Sequence, residues 1–138
     1  MPFTVCYYHV IWATKHRREW LSDDVEQFII ASIRDTSATL KCPIFALNGC
    51  VNHIHVAVGI GTHLAARDWV GRVKGVPSRY VNKQFLAFDG QFRWQKSYGL
   101  LTFGAKNLPF VVDYIEKQKE HHAYGTFIPY LENTGEEE

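Results

Sequence analysis

The stretch Cys50-Val51-Asn52-His53-Ile54-His55-Val56-Ala57-Val58-Gly59-Ile60 constrains this chain more than any other. Two histidines separated by one aliphatic residue, inside a run of β-branched residues, follow the period of two that marks a strand. His53 and His55 then point to one face, and Ile54, Val56 and Val58 to the other. Imidazoles at i and i+2 on a strand are close enough to hold one divalent cation. The opposite face is apolar enough to be buried, which would keep the pair rigid. An isolated His-x-His is also what two satisfied polar residues on a half-exposed strand look like, so the rest of the chain must decide.

With 138 residues, 46% hydrophobic and 21% charged, the chain has the material for one globular domain with a proper core. It holds no apolar run near the roughly 20 residues a membrane helix needs, and its first residues lack the basic start of a signal peptide. Cys6, Cys42 and Cys50 are odd in number and without CxxC spacing. Reduced core thiols in a cytoplasmic protein fit them better than disulfides or a zinc knot. The net charge of +1 hides an asymmetry: residues 64–106 carry eight basic residues against two acidic, and residues 107–138 carry two basic against seven acidic. A basic middle segment attracts a polyanion, although a solvated helix face has the same composition.

Phe3 to Lys15 reads as a long central strand, rich in Val, Ile, Tyr and Trp. Lys15, Arg17 and Arg18 follow in a basic turn that can contact phosphate. Ser22-Asp23-Asp24 opens a helix by capping its free N–H groups and placing acids at its positive end. That helix should turn Val25, Phe28, Ile29, Ser32 and Thr36 inward and end near Leu40. Cys42 to Cys50 is a second strand. Asn48-Gly49, a strong hairpin signal, predicts that it runs antiparallel to the histidine strand, with the turn there or a few residues away.

A second helix is expected from His63 to about Phe85. Trp69, Val73, Val76 and Tyr80 form its inward stripe; Arg72, Gly75, Arg79 and Lys83 form an outward basic one, with Lys74 beside it. Pro77 should kink or break it. Phe92 to Gln95 and Ser97 to Gly104 are strand material, where Trp94 and Tyr98 are open between core packing and stacking on unpaired bases. Asn107 and Pro109 start a last helix with Val111, Tyr114, Gln118 and His121 on one face. By themselves, Tyr114 reads as a core tyrosine and Gln118 as a surface residue. Residues 125–138 form a tail that docks loosely and ends in disorder at Glu136 to Glu138.

The order β-α-β-β-α-β-α matches a ferredoxin-like, RRM-like split βαβ α+β fold, an antiparallel sheet with helices on both faces. In that setting YHVIWATKHRR (8–18), NHIHVAV (52–58) and FRWQKSYG…VVDYIEKQKEHH (92–122) together resemble the single-tyrosine transposases of the HUH nuclease superfamily. That family includes small insertion-sequence enzymes and relatives associated with repetitive extragenic palindromes. The resemblance implies a catalytic domain over 1–124 that cleaves and rejoins single-stranded DNA at hairpins. It implies His53, His55 and Gln118 as ligands of Mg²⁺ or Mn²⁺, Tyr114 as nucleophile, and a homodimer that sometimes exchanges the tyrosine helix. The expected DNA contacts are Lys15, Arg17, Arg18, Arg72, Lys74, Arg79, Lys83 and Trp94. Ser97, where relatives often have glycine, and Pro77, after Lys74-Gly75, depart from the pattern. His121 and His122 are expected to cap a helix end or to assist from outside the ligand set.

The chemistry suits these residue types. A tyrosine nucleophile conserves the phosphodiester bond energy as a 5′-phosphotyrosine and releases a 3′-OH for strand transfer. Neutral imidazole and amide ligands leave a cation its full charge toward a polyanion. The competing reading is a non-catalytic nucleic-acid-binding module on the same fold. A hydrolase for small substrates is weaker, since no glutamate is evidently placed as a base beside the histidines.

Overall fold

Alternation along the histidine strand sorts the whole molecule into two layers on either side of a sheet. The structure is a computed structural model that describes residue 4 and residues 6–135. It contains β1 (Tyr7–Ala13), α1 (Asp23–Thr39), β2 (Ile44–Cys50), β3 (His53–Gly59), α2 (Ala66–Gln84), β4 (Gly99–Phe103), α3 (Leu108–Glu116) and α4 (Gln118–Tyr124). The strands lie in the order β2-β3-β1-β4, and each neighbouring pair is antiparallel. This is the split βαβ arrangement, with β1 and β3 central. No helix among the described residues is long and apolar enough to cross a membrane.

Ile54, Val56 and Val58 join Val10 and Trp12 in a core closed by Val25, Ile29 and Ile33 of α1 and by Trp69, Val70, Val73 and Val81 of α2. Each such side chain stabilises the fold by about 1.5–3 kcal/mol through removal from water. On the opposite face Ala46 and Ala57 pack against Val111 and Ile115 of α3. His53 and His55 therefore face α3 and α4, away from α1 and α2.

Several expectations shift by a residue or a turn. The first strand is shorter than Phe3 to Lys15; Phe3 and Val5 lie outside the described residues. Thr14 makes a single bridge to Trp94, and Lys15–Arg17 form a 3-10 turn with His16 and Arg17 at positive φ. The Ser22 hydroxyl does cap α1, facing the Val25 N–H. Beyond Ile29, however, Ile33 and Ser37 are buried instead of Ser32 and Thr36. Ser37 goes inward because its hydroxyl accepts the buried Trp69 indole N–H at 2.9 Å.

Asn48-Gly49 lies inside β2, and the chain reverses at Val51-Asn52. Gly49 serves close approach instead: a Cβ there would lie 2.6 Å from the His53 carbonyl oxygen. The fourth strand begins only at Gly99. Helix α2 runs unbroken through Pro77, which is buried between Val73 and Val81 on the core-facing side, while Tyr80 is 50% exposed. Packing on both sides of the proline outweighs its one missing hydrogen bond.

Candidate active site

Three elements meet above the α3 side of the sheet. β3 supplies His53 and His55, 4% and 0% exposed. Asn52 Nδ2 donates to the Arg17 carbonyl, which leaves its Oδ1 to accept from His53 Nδ1 at 2.7 Å. The lone pair of a neutral His53 is thereby assigned to Nε2, pointing into the site. His55 is oriented by a residue that sequence analysis did not single out: His9 of β1, whose Nε2 shares a 2.9 Å hydrogen bond with His55 Nδ1. Burial holds His55 down to about 4 and, helped by the neighbouring His55, holds His9 down to about 3, so both rings are neutral near pH 7.

The last helix is not continuous. It breaks at Lys117, because the Asn48 amide donates to the carbonyls of Ile115 and Glu116, which a continuous helix would use internally. Tyr114 ends up on α3 and Gln118 at the start of α4, yet they stay adjacent, with Gln118 Nε2 3.5 Å from the Tyr114 carbonyl. Both are buried, Tyr114 at 2% and Gln118 at 0% exposure, so Gln118 is no surface residue. Tyr114 stacks on His121 and its hydroxyl accepts the Ile128 N–H at 2.9 Å.

The third element is the tail. A 3-10 turn at Pro129–Glu132 sends Glu132 into the centre of the site. Its Oε1 lies 3.2 Å from His53 Nε2, 3.1 Å from His55 Nε2 and 3.0 Å from His122 Nε2. Its Oε2 accepts from the Tyr114 hydroxyl and, at 3.3 Å, from Gln118 Nε2. Burial works against ionisation of Glu132, but the interactions with His53, His55 and Tyr114 win and hold the carboxyl far below the usual range. Burial and that carboxylate push the Tyr114 phenol up to about 12.

The donor set fits a hard divalent cation. Ligand atoms of His53, His55 and Glu132 lie within 4.8 Å of one another. Among the described residues, the buried atoms that lack hydrogen-bond partners include His53 Nε2 and Gln118 Oε1. A lone-pair nitrogen and a carboxylate oxygen facing each other at 3.2 Å repel unless a positive charge lies with them. Imidazole nitrogens with amide and carboxylate oxygens are donors that Mg²⁺ and Mn²⁺ accept.

A sequence model of transposases described as IS200-like matches residues 2–118. The chain belongs to the IS200-like transposase family. The transposase of insertion sequence IS200 from Salmonella typhimurium is 28% identical over 131 residues, covering 91% of this chain and 86% of that protein. The ISDra2 transposase TnpA of Deinococcus radiodurans is 26% identical over 120 residues, covering 82% and 84%. A crystal structure of a protein from Deinococcus radiodurans described as a transposase superposes with a TM-score of 0.70 at 27% identity, over 85% of this chain and 93% of that one. A REP-associated tyrosine transposase solved with a REP hairpin shares the fold, with a TM-score of 0.60 at 18% identity, over 90% and 74%.

In this IS200-like chain the basic residues flank a cleft of about 780 Å³ between α2 and residues 92–98. Arg72, Arg79 and Lys83 are exposed along α2 as expected, and Arg67, Arg79, Arg93 and Lys96 line the cleft. Lys74 is engaged structurally, its ammonium donating to the carbonyls of Gln95, Lys96 and Ser97. Trp94 packs edge-on against Trp12 and Phe92, gives its N–H to the Lys74 carbonyl, and is 9% exposed. Tyr98 is the more open aromatic in the cleft. Arg18 lies over the Trp20 ring, and Arg17 donates to Thr134.

The family resemblance assigns no role to Glu132 or the tail clamp, nor to His9, although His9 lies within the string 8–18 that carries it. Ser97 accepts from Gln95 and donates to the Thr134 carbonyl, so the serine that departs from the family's glycine holds the tail. Gln95 donates to the same carbonyl at 3.0 Å. A Cβ on Gly99 would lie 2.0 Å from the Asn133 carbonyl oxygen, so the tail lies flat against this glycine. The tail docks closely as far as Gly135; Glu136 to Glu138 lie outside the described residues. Among the cysteines Cys42 is buried, Cys50 half-buried and Cys6 exposed, all with free thiols.

Proposed function

We propose that this transposase-family chain is a single-strand DNA endonuclease and strand transferase that works through a 5′-phosphotyrosine on Tyr114 and recognises DNA hairpins. The observation that carries the reading is convergence: the Tyr114 hydroxyl and the nitrogens of His53 and His55 touch opposite oxygens of one carboxylate. A nucleophile and a cation-ligating set must lie about one phosphate apart to cut a phosphodiester, and a shared carboxylate between them supports that spacing.

His53, His55 and Gln118 would hold Mg²⁺ or Mn²⁺, with the Glu132 carboxylate as an oxygen donor only until DNA takes its place. The bound cation would supply charge stabilisation on the phosphate oxygens. Tyr114 Oη forms a bond to phosphorus as the P–O3′ bond breaks; the phenolic proton is released and O3′ leaves as a hydroxyl. The DNA would run from the basic cleft, gripped by Arg72, Arg79 and Lys83, with Lys15, Arg17 and Arg18 near the sheet end. The REP-hairpin complex of the structural neighbour supports a hairpin substrate. Residues 1–124 are then the catalytic domain and 125–138 its tail. A homodimer would widen the surface that grips hairpin and cleavage site together; light scattering that finds only monomer at micromolar concentration argues against it.

A second reading, a nucleic-acid-binding module without catalysis, is favoured by the 2% exposure of Tyr114 and by the carboxylate on its hydroxyl. One experiment separates the two. A labelled hairpin with a single-stranded flank is incubated with the protein and Mn²⁺ or Mg²⁺, then resolved on a denaturing gel. A protein–DNA adduct supports the enzyme; hairpin binding without adduct supports the binding module.

A further inference from the structure

Strand register sets a second cluster of ligating side chains beside the first. Cys50 at the end of β2 is the direct cross-strand partner of His53 at the start of β3. Directly opposed residues leave the same face of a sheet with their Cβ atoms about 5 Å apart. His122 descends from α4 onto His53, ring centroids 4.8 Å apart, and is braced by near-parallel stacking on Phe127 at 5.0 Å. One ligating atom from each of Cys50, His53 and His122 lies within 4.8 Å of the other two. His53 Nδ1 is engaged with Asn52, whereas its buried Nε2 lacks a hydrogen-bond partner and is the nitrogen left to ligate. Among the described residues, Cys50 Sγ makes only a weak 3.7 Å contact, to the Gln118 carbonyl.

We propose that Cys50, His53 and His122 form a site for a thiophilic divalent cation, Zn²⁺ in chemical class, alongside the site for Mg²⁺ or Mn²⁺. A thiolate with two imidazoles is a donor set that hard ions bind poorly and Zn²⁺ or Co²⁺ bind well. Glu132 Oε1, 3.2 Å from His53 Nε2 and 3.0 Å from His122 Nε2, supplies a fourth donor for tetrahedral geometry. Zinc–nitrogen and zinc–sulfur bonds of about 2.0–2.3 Å require the three side chains to draw together by roughly an ångström at most. His53 belongs to both sets, so filling the softer site removes a ligand from the harder one. That consequence rests on the proposed function; cation binding does not.

The test uses Co²⁺ as a spectroscopic stand-in for Zn²⁺, added to the full chain without DNA, so its failure is distinct from a failure to form the DNA adduct. The wild-type protein should develop a near-ultraviolet thiolate-to-cobalt charge-transfer band that Zn²⁺ bleaches. Cys50→Ser and Cys50→Ala should each abolish the band with unchanged circular dichroism. His122→Ala should weaken Co²⁺ binding at least tenfold, and His55→Ala should leave the band in place. A wild-type protein without the band, a band undiminished in either Cys50 variant, wild-type affinity in His122→Ala, or loss of the band in His55→Ala would overturn the proposal.

Discussion

The Tyr114 hydroxyl donates a hydrogen bond to the carboxylate of Glu132, eighteen residues further on, while the other oxygen of that carboxylate lies against His53, His55 and His122. An anionic oxygen between the proposed nucleophile and the proposed ligands stands where a scissile phosphate must lie. On the proposed mechanism, DNA and Glu132 would compete for one position. The tail that carries Glu132 is held by Arg17, Gln95 and Ser97, all of which bond Thr134. On that mechanism, productive binding would require residues 126–135 to lift from the site.

Glu132→Ala should therefore speed adduct formation at saturating hairpin DNA by severalfold. The competing anion is gone, and the phenol loses the acceptor that stabilises its neutral form. Single-turnover gel assays measure this. A slower reaction would place Glu132 among the cation's essential ligands instead.

Tyr114→Phe should abolish the adduct while leaving hairpin affinity within twofold. The missing oxygen leaves the Ile128 N–H without its acceptor, a cost of about 1–3 kcal/mol that should appear as a modest drop in thermal stability. Adduct formation by this variant at the wild-type rate would end the phosphotyrosine mechanism.

His9→Leu removes the group that orients His55 without touching a proposed ligand atom. Outer partners of ligating histidines typically govern about 10–100-fold in metal affinity. Isothermal titration with Mn²⁺ should show a loss in that range with the sheet intact by circular dichroism. Unchanged affinity would mean that packing alone holds His55.

Neutralising Arg72, Arg79 and Lys83 together should weaken hairpin binding regardless of sequence. Each phosphate charge left unneutralised flattens the plot of log affinity against log salt by about 0.9. Binding measured from low to moderate salt checks this, and an unaltered slope would put the DNA on another surface.

Gly49→Ala should destabilise the fold by about 1–3 kcal/mol, because the new methyl meets the His53 carbonyl oxygen and the Ile54 side chain. Urea unfolding should show a lower midpoint with an unchanged slope. A neutral result would show that the edge strand yields easily.

Local patterns were legible because their physics is local. A period of two put His53 and His55 on one face and their apolar neighbours on the other, and the sheet kept that division. The oxygen-bearing start of α1, the outward basic stripe of α2 and the Tyr114 face of the last helical segment follow from capping and a period of 3.6. The antiparallel β2–β3 pair was readable too, but not its turn. Whether Asn48-Gly49 reverses the chain or extends it depends on the hydrogen bonds Asn48 makes with Ile115 and Glu116, 67 and 68 residues away.

The sequence by itself thus determined the layers, the sheet pairing and the face on which the histidines lie. The tertiary structure decided the site's other members. His9 reaches His55 across 46 residues and Glu132 reaches it across 77, and neither carries a local periodic signal. The tail is pinned chiefly through the Thr134 backbone carbonyl and through Gly99, where close approach rather than side-chain hydrophobicity does the holding. Propensity and periodicity act over a few residues. A carboxylate seated among three imidazoles is stable only once sheet, broken helix and tail have closed around it.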